Sequence, residues 1–197
     1  MRLFLLAIFI LVLGARASAA GRSFIALVRN TAASEIAPSE AHGADQYYEI
    51  FANFLLKAGI RYVELNDEDV AAGKLAGYPL AVFPYSPGMP EAAAARAVEF
   101  IEGGGKVIIF YTVPPPVADA LGVRPGEYRR AQDGDFAACR FLREAPPGSP
   151  EQIIQNSWNV YSAEPARPDA KVVARWETKE RQDTGMPAII LSSSGAY

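Results

Sequence analysis

One cysteine and one histidine occur in 197 residues, and each scarcity removes a class of chemistry. Cys139 alone cannot form an internal disulfide, so the fold must hold by packing. His42 alone gives a serine triad little to draw on. Ser192-Ser193-Ser194-Gly195 also lacks the G-x-S-x-G elbow and has no histidine after it. Glu40, His42 and Asp45 could form part of a metal site, but a single histidine with loosely spaced carboxylates is a weak signal, and a loop or helix-start role is the plainer reading. Neither G-x-G-x-x-G nor G-x-x-x-x-G-K-[ST] is present. Gly103–Gly105 follows a helical stretch and precedes a strand, the wrong end for cradling phosphate. No cofactor is expected. Nor is there a lysine run or basic patch, which argues against a nucleic-acid partner.

Long apolar runs are missing except at the start. Met1-Arg2, the run Leu3–Leu13 and the A-x-A pattern Ala17-Ser18-Ala19 together read as a secretory signal peptide over residues 1–20. The run is short for a bilayer span, so no stable membrane anchor is expected and the chain is expected to be exported, periplasmic or extracellular. Residues 1–20 hold two arginines and no acids. Removing them leaves 17 basic and 22 acidic residues, a net charge of 17 − 22 = −5. A composition of 50% hydrophobic and 21% charged residues is that of a globular chain rather than a disordered one, and residues 21–197 suffice for one domain.

The most regular stretch is Tyr78–Val113. Leu80–Pro84 (LAVFP) and Lys106–Phe110 (KVIIF) are unbroken apolar runs, the pattern of strands covered on both faces. Between them Ala94, Ala97, Val98 and Ile101 make one helical stripe, entered at Pro90 and ended by Gly103–Gly105. This predicts a right-handed βαβ unit. Around it, Ser23–Val28 and Tyr62–Leu65 read as strands and Ala44–Ala58 as a helix. Asn66 or Asp67 is expected to cap a short helix, and the pair Asp67/Asp69 suits a helix start better than catalysis. Val117–Leu121 reads as a short helix stopped by Gly122. Further on, Arg124–Asp135 reads as a polar surface excursion, Phe136–Leu142 as a strand, and Ser149 as the cap of a helix with Pro150 first and Gln152 third. Lys171–Glu177 and Ala188–Leu191 read as strands, with Thr178–Met186 as a turn. The fold class is therefore α/β, a three-layer sandwich on a mainly parallel sheet.

Ligands gather at the carboxyl ends of such strands. The expected ligand-binding residues are Asn30, Tyr85, Ser86, Tyr111 and Thr112. Tyr85, Tyr111 and Tyr197 offer rings that could stack on a sugar or simply pack. No catalytic residue and no metal ligand is assigned. Cys139, beside Phe136 and Phe141, reads as a buried thiol.

KAGIRYVELNDEDVAAGKLAGYPLAVFPYSPGMP, FIEGGGKVIIFYTVPPPVADALGV and PAIILSSSGAY resemble a class I glutamine-amidotransferase-like domain. Such domains stand at the front of secreted glycosyl-hydrolase-like family 10 proteins and form the trimerisation domain of some β-galactosidases. The resemblance covers about Arg22 to Tyr197 and implies a flavodoxin-like fold in a carbohydrate-active protein. It also implies where an amidotransferase nucleophile would stand, just after the central strand. That stretch is Tyr111, Thr112 and Val113, with neither cysteine nor serine, so glutaminase activity is not carried over. The leading expectation is a non-catalytic domain that packs on a carbohydrate-active enzyme or lends it sugar contacts. Its partners would be a C-terminal catalytic domain beyond Tyr197, a carbohydrate ligand or further copies of itself. The alternatives are a free-standing periplasmic module for a small ligand and a metal enzyme built on the His42 loop.

Overall fold

The computed structural model describes residues 24–132 and 134–197, so the expected signal peptide lies outside the described residues. Strands β1 (Ile25–Arg29), β2 (Tyr62–Asn66), β3 (Leu80–Phe83) and β4 (Lys106–Ile109) run parallel in the order β2-β1-β3-β4. Ala26, Leu27, Leu80, Ala81, Val82, Val107 and Ile109 are wholly buried. That two-sided burial is why these strands are unbroken apolar runs rather than alternating ones.

A short helix, α1 (Ala33–Ile36), interrupts the loop after β1. Helix α2 (Ala41–Lys57) then covers one face, setting Tyr48, Phe51 and Leu55 among Ile25, Leu27, Leu80 and Val82. On the opposite face lie α3 (Asp67–Ala71), α4 (Glu91–Glu102) and α5 (Pro115–Leu121), over Ala26, Ala81, Phe83, Val107 and Ile109. Asn66 caps α3 in a reciprocal capping box with Asp69. The buried stripe of α4 is Ala93, Ala94, Ala97 and Ile101. Gly122 closes α5 in the left-handed conformation, where a side chain would be strained.

Beyond α5 the chain changes character. Arg124–Asp135 is not the surface excursion its polarity suggested. Val123–Arg130 forms β5, which pairs antiparallel with β8 (Asn159–Pro165) as a separate two-stranded ribbon. Every residue of β5 after Val123 is exposed, so no apolar pattern marks it. The helix expected after Ser149 is also absent. Gln152–Ile154 is β7, paired with β6 (Ala138–Phe141) at the sheet edge, and cross-strand pairing that buries Ile153 overrides the local cap signal.

β9 (Lys171–Glu177) and β10 (Asp183–Ser192) form an antiparallel hairpin. β10 starts earlier than Ala188, which shortens the expected turn. After Ser194 the chain folds back as the two-residue β11 (Gly195–Ala196), antiparallel to β10 and parallel to β4. The complete order is β2-β1-β3-β4-β11-β10-β9-β6-β7. Ala188–Leu191 is thus part of an antiparallel strand. Only glycine fits at 195: its φ is +144° and a Cβ there would lie 1.8 Å from the carbonyl oxygen of Val107. Among the described residues no helix is long and apolar enough to cross a membrane.

Candidate functional site

The switch in strand order lies between β1 and β3, and the helices that follow them cover opposite faces of the sheet. The loops there are tied together. Asn30, buried at the end of β1, donates from Nδ2 to the carbonyl of Pro87 at 2.8 Å, and its Oδ1 accepts from the N–H of Ala33 at 2.8 Å. Ser86 is buried beside this link, and neither its hydroxyl nor that of Thr112 has a partner among the described residues. At the end of β2, Asp67 Oδ2 accepts from the N–H of Ala32 at 3.0 Å. Burial raises this carboxyl above the usual carboxylate range.

Tyr111, one residue beyond Phe110 at the end of β4, has φ +67°. A bulky residue in the left-handed region is strained, and surrounding contacts must hold it there. Here the Tyr197 hydroxyl donates to the Tyr111 carbonyl at 2.7 Å, and Asn159 of β8 donates from Nδ2 to the Tyr111 hydroxyl. Burial pushes the Tyr111 phenol up to about 12.

Five tyrosines run in unbroken contact across this end of the sheet. Tyr47 of α2 meets Tyr85 at 5.7 Å between centroids, Tyr85 meets Tyr111 at 5.4 Å, Tyr111 meets Tyr161 of β8 at 5.2 Å, and Tyr161 meets Tyr128 of β5 at 5.6 Å. All four contacts are edge-to-face, the arrangement favoured by the ring quadrupoles. The Tyr85 hydroxyl donates to Glu40 Oε2 at 2.9 Å, and burial raises this phenol well above its ordinary value. The expected residues Asn30, Tyr85, Ser86, Tyr111 and Thr112 therefore converge, but with two roles. Asn30 and Ser86 lie beneath the surface, while Tyr85 and Tyr111 form the middle of the row. Sequence reasoning weighed Glu40 only beside His42 as a metal ligand, and missed Tyr47, Tyr128, Asn159 and Tyr161. Three of these come from the β5–β8 ribbon, where the only available signal was a tyrosine within each polar segment, GEYRR and NVYSAE.

Among solved structures, a ThuA-like protein from Bacteroides uniformis superposes with a TM-score of 0.55 at 14% identity, over 92% of this chain and 86% of that one. A glutamine amidotransferase from Thermotoga maritima gives 0.53 at 10% identity, over 89% and 74%. The fold is flavodoxin-like. A β-galactosidase from Bifidobacterium adolescentis aligns at only 0.38, with 19% identity over 89% and 88%. No protein-family model and no curated protein matches the chain.

The stretch just after β4, where the resemblance led a nucleophile to be expected, is Tyr111, Thr112 and Val113. A nucleophile needs a base within hydrogen-bond reach. His42 is exposed in the first turn of α2. Cys139 is buried on β6, its thiol pushed up to about 12 by burial, which suppresses the reactive thiolate. No cluster of three or more metal-ligating side chains occurs among the described residues. What the arrangement offers is an aromatic surface edged by a carboxylate and an amide.

Proposed function

We propose that this chain is an amidotransferase-like domain of an exported carbohydrate-active protein, one that contacts sugar through its strand-end tyrosines and does not hydrolyse glutamine. The observation that carries this reading is the tyrosine row through Tyr85 and Tyr111 at the strand ends, beside a stretch Tyr111–Val113 that offers neither cysteine nor serine. The family 10 glycosyl-hydrolase-like proteins provide the context: there a separate barrel would carry the chemistry and this domain would pack on it. Two measurements test the proposal. The purified chain should release no ammonia from glutamine above the rate of buffer alone. Its melting temperature should rise with neutral saccharides, since a ligand that binds only the folded state stabilises it. The rise should disappear in the Tyr85→Ala, Tyr111→Ala double variant. Glutamine turnover, or a saccharide shift untouched by the double variant, would overturn the reading.

A second reading, a free-standing periplasmic module for a small ligand, is favoured by the unpartnered hydroxyls of Ser86 and Thr112. A small polar ligand reaching them would lose its stabilising effect in Ser86→Ala and Thr112→Val.

A further inference from the structure

The exposed parts of the tyrosine row lie at its two ends. Tyr47 is 48% exposed on one side, Tyr161 37% and Tyr128 46% on the other, while Tyr85 near the centre is only 8% exposed. A single sugar ring placed over the row covers one end or the buried middle. Only an elongated ligand can touch all three exposed rings together. We infer that the β5–β8 ribbon extends the site into a binding strip for an unbranched neutral oligosaccharide, with Tyr47 and Tyr128 at its two ends. This rests on the sugar-contact reading above and adds the length of the ligand and the residues that measure it.

The chemistry of the strip suits a sugar chain. A pyranose packs its C–H face on an aromatic ring and directs its hydroxyls sideways. Along the row those hydroxyls meet phenol groups, each a donor and an acceptor, the exposed Glu40 at Tyr85, and the Asn159 amide beside Tyr111 and Tyr128. Two other aromatic-binding chemistries fit less well. An organic cation is held inside a box of open ring faces, and here each ring fills the space beside the next at 5.2–5.7 Å. A proline-rich peptide docks into a groove between aromatic walls, and rings in continuous edge contact leave no groove between them.

The test is calorimetric titration of the full chain with cellotetraose, maltotetraose and chitotetraose, each beside its mono- and disaccharide. At least one tetrasaccharide should bind about tenfold or more tighter than its disaccharide, a difference well resolved by titration. Tyr47→Ala and Tyr128→Ala alter exposed rings at opposite ends. Each should lower tetrasaccharide affinity towards that of the disaccharide, with the melting temperature confirming that both variants fold. Equal affinity for short and long sugars would overturn the inference and leave the sugar-contact reading standing. So would tetrasaccharide binding unchanged in both variants. Absence of binding by every sugar would overturn both. A polyproline peptide that binds in place of the sugars, and loses affinity in the same variants, would make the strip a peptide site.

Discussion

The hydroxyl of Tyr197 donates a 2.7 Å hydrogen bond to the carbonyl of Tyr111, 86 residues earlier in the chain. It reaches from the residue after β11 to the strained residue after β4, so two strand ends that meet only through the sheet also hold each other at the surface. Removing the hydroxyl with Tyr197→Phe should cost about 1 kcal/mol, the usual worth of one intramolecular hydrogen bond. Urea denaturation should show a lower midpoint with an unchanged slope. An unaltered midpoint would mean the bond does not support the elbow.

Strain at Tyr111 can be separated from the loss of its ring. Tyr111→Ala and Tyr111→Gly remove the same aromatic contacts, but only glycine relaxes at φ +67°. The glycine variant should therefore be the more stable of the two by roughly 1 kcal/mol, against the ordinary rule that glycine destabilises. An alanine variant equal to or more stable than the glycine variant would remove the claim of strain.

Alkaline pH should weaken the fold by a calculable route. Burial raises Cys139 from 9.0 to about 12 and Tyr111 from 10.0 to about 12, with Tyr85 and Tyr197 raised further. These groups lose protons more easily when unfolded. Their stabilising effect is complete below the unfolded values and is lost as pH climbs towards the folded ones. Stability should be flat from neutrality to about pH 9 as far as these groups decide it, then fall towards pH 12. Urea midpoints measured against pH, alongside tyrosinate absorbance, check this. Titration of all nine tyrosines near the ordinary phenol value in the folded state would contradict it.

In the antiparallel half, Glu177 is buried and both carboxylate oxygens are occupied, one by Arg140 and one by Gln152. Arg140→Ala should cost roughly 3 kcal/mol, because it leaves a buried carboxylate without its cation. Adding Glu177→Met should restore much of that loss by removing the stranded charge. A double variant no more stable than Arg140→Ala alone would refute the pairing argument.

The legible part of the sequence was the part whose burial leaves a local pattern. LAVFP and KVIIF announced β3 and β4 because both faces of those strands are covered. The alanines of α4 announced a helix packed close to the sheet, and Asn66-Asp67 announced the capped start of α3, the cap itself being Asn66. β5 and β7 carried no such pattern. The first is exposed almost throughout and the second is three residues long, so both are specified by partners 29 or more and about a dozen residues away. The site divides the same way. Tyr85 and Tyr111 stand at strand ends that could be placed in advance. Tyr161, Tyr128 and Asn159 reach the row only through the pairing of β5 with β8, which no local signal encodes.

The two-residue strand β11 has a consequence for how the molecule comes apart. Among the described residues it is the one strand that pairs with both the parallel and the antiparallel half of the nine-stranded sheet, through Gly195 and Ala196 to Val107 and Ile108 on one side and to Leu191 and Ser192 on the other, while Val173, Ala174, Ile189 and Ile190 share buried clusters with β1 and β3. Strand pairing is narrowest at this seam, which admits no side chain at Gly195, so the side-chain clusters shared across it must couple the two halves. Amide hydrogen exchange should then report one common level of protection for β1–β4 and β9–β10, and Gly195→Ala, which breaks the seam, should split it into two.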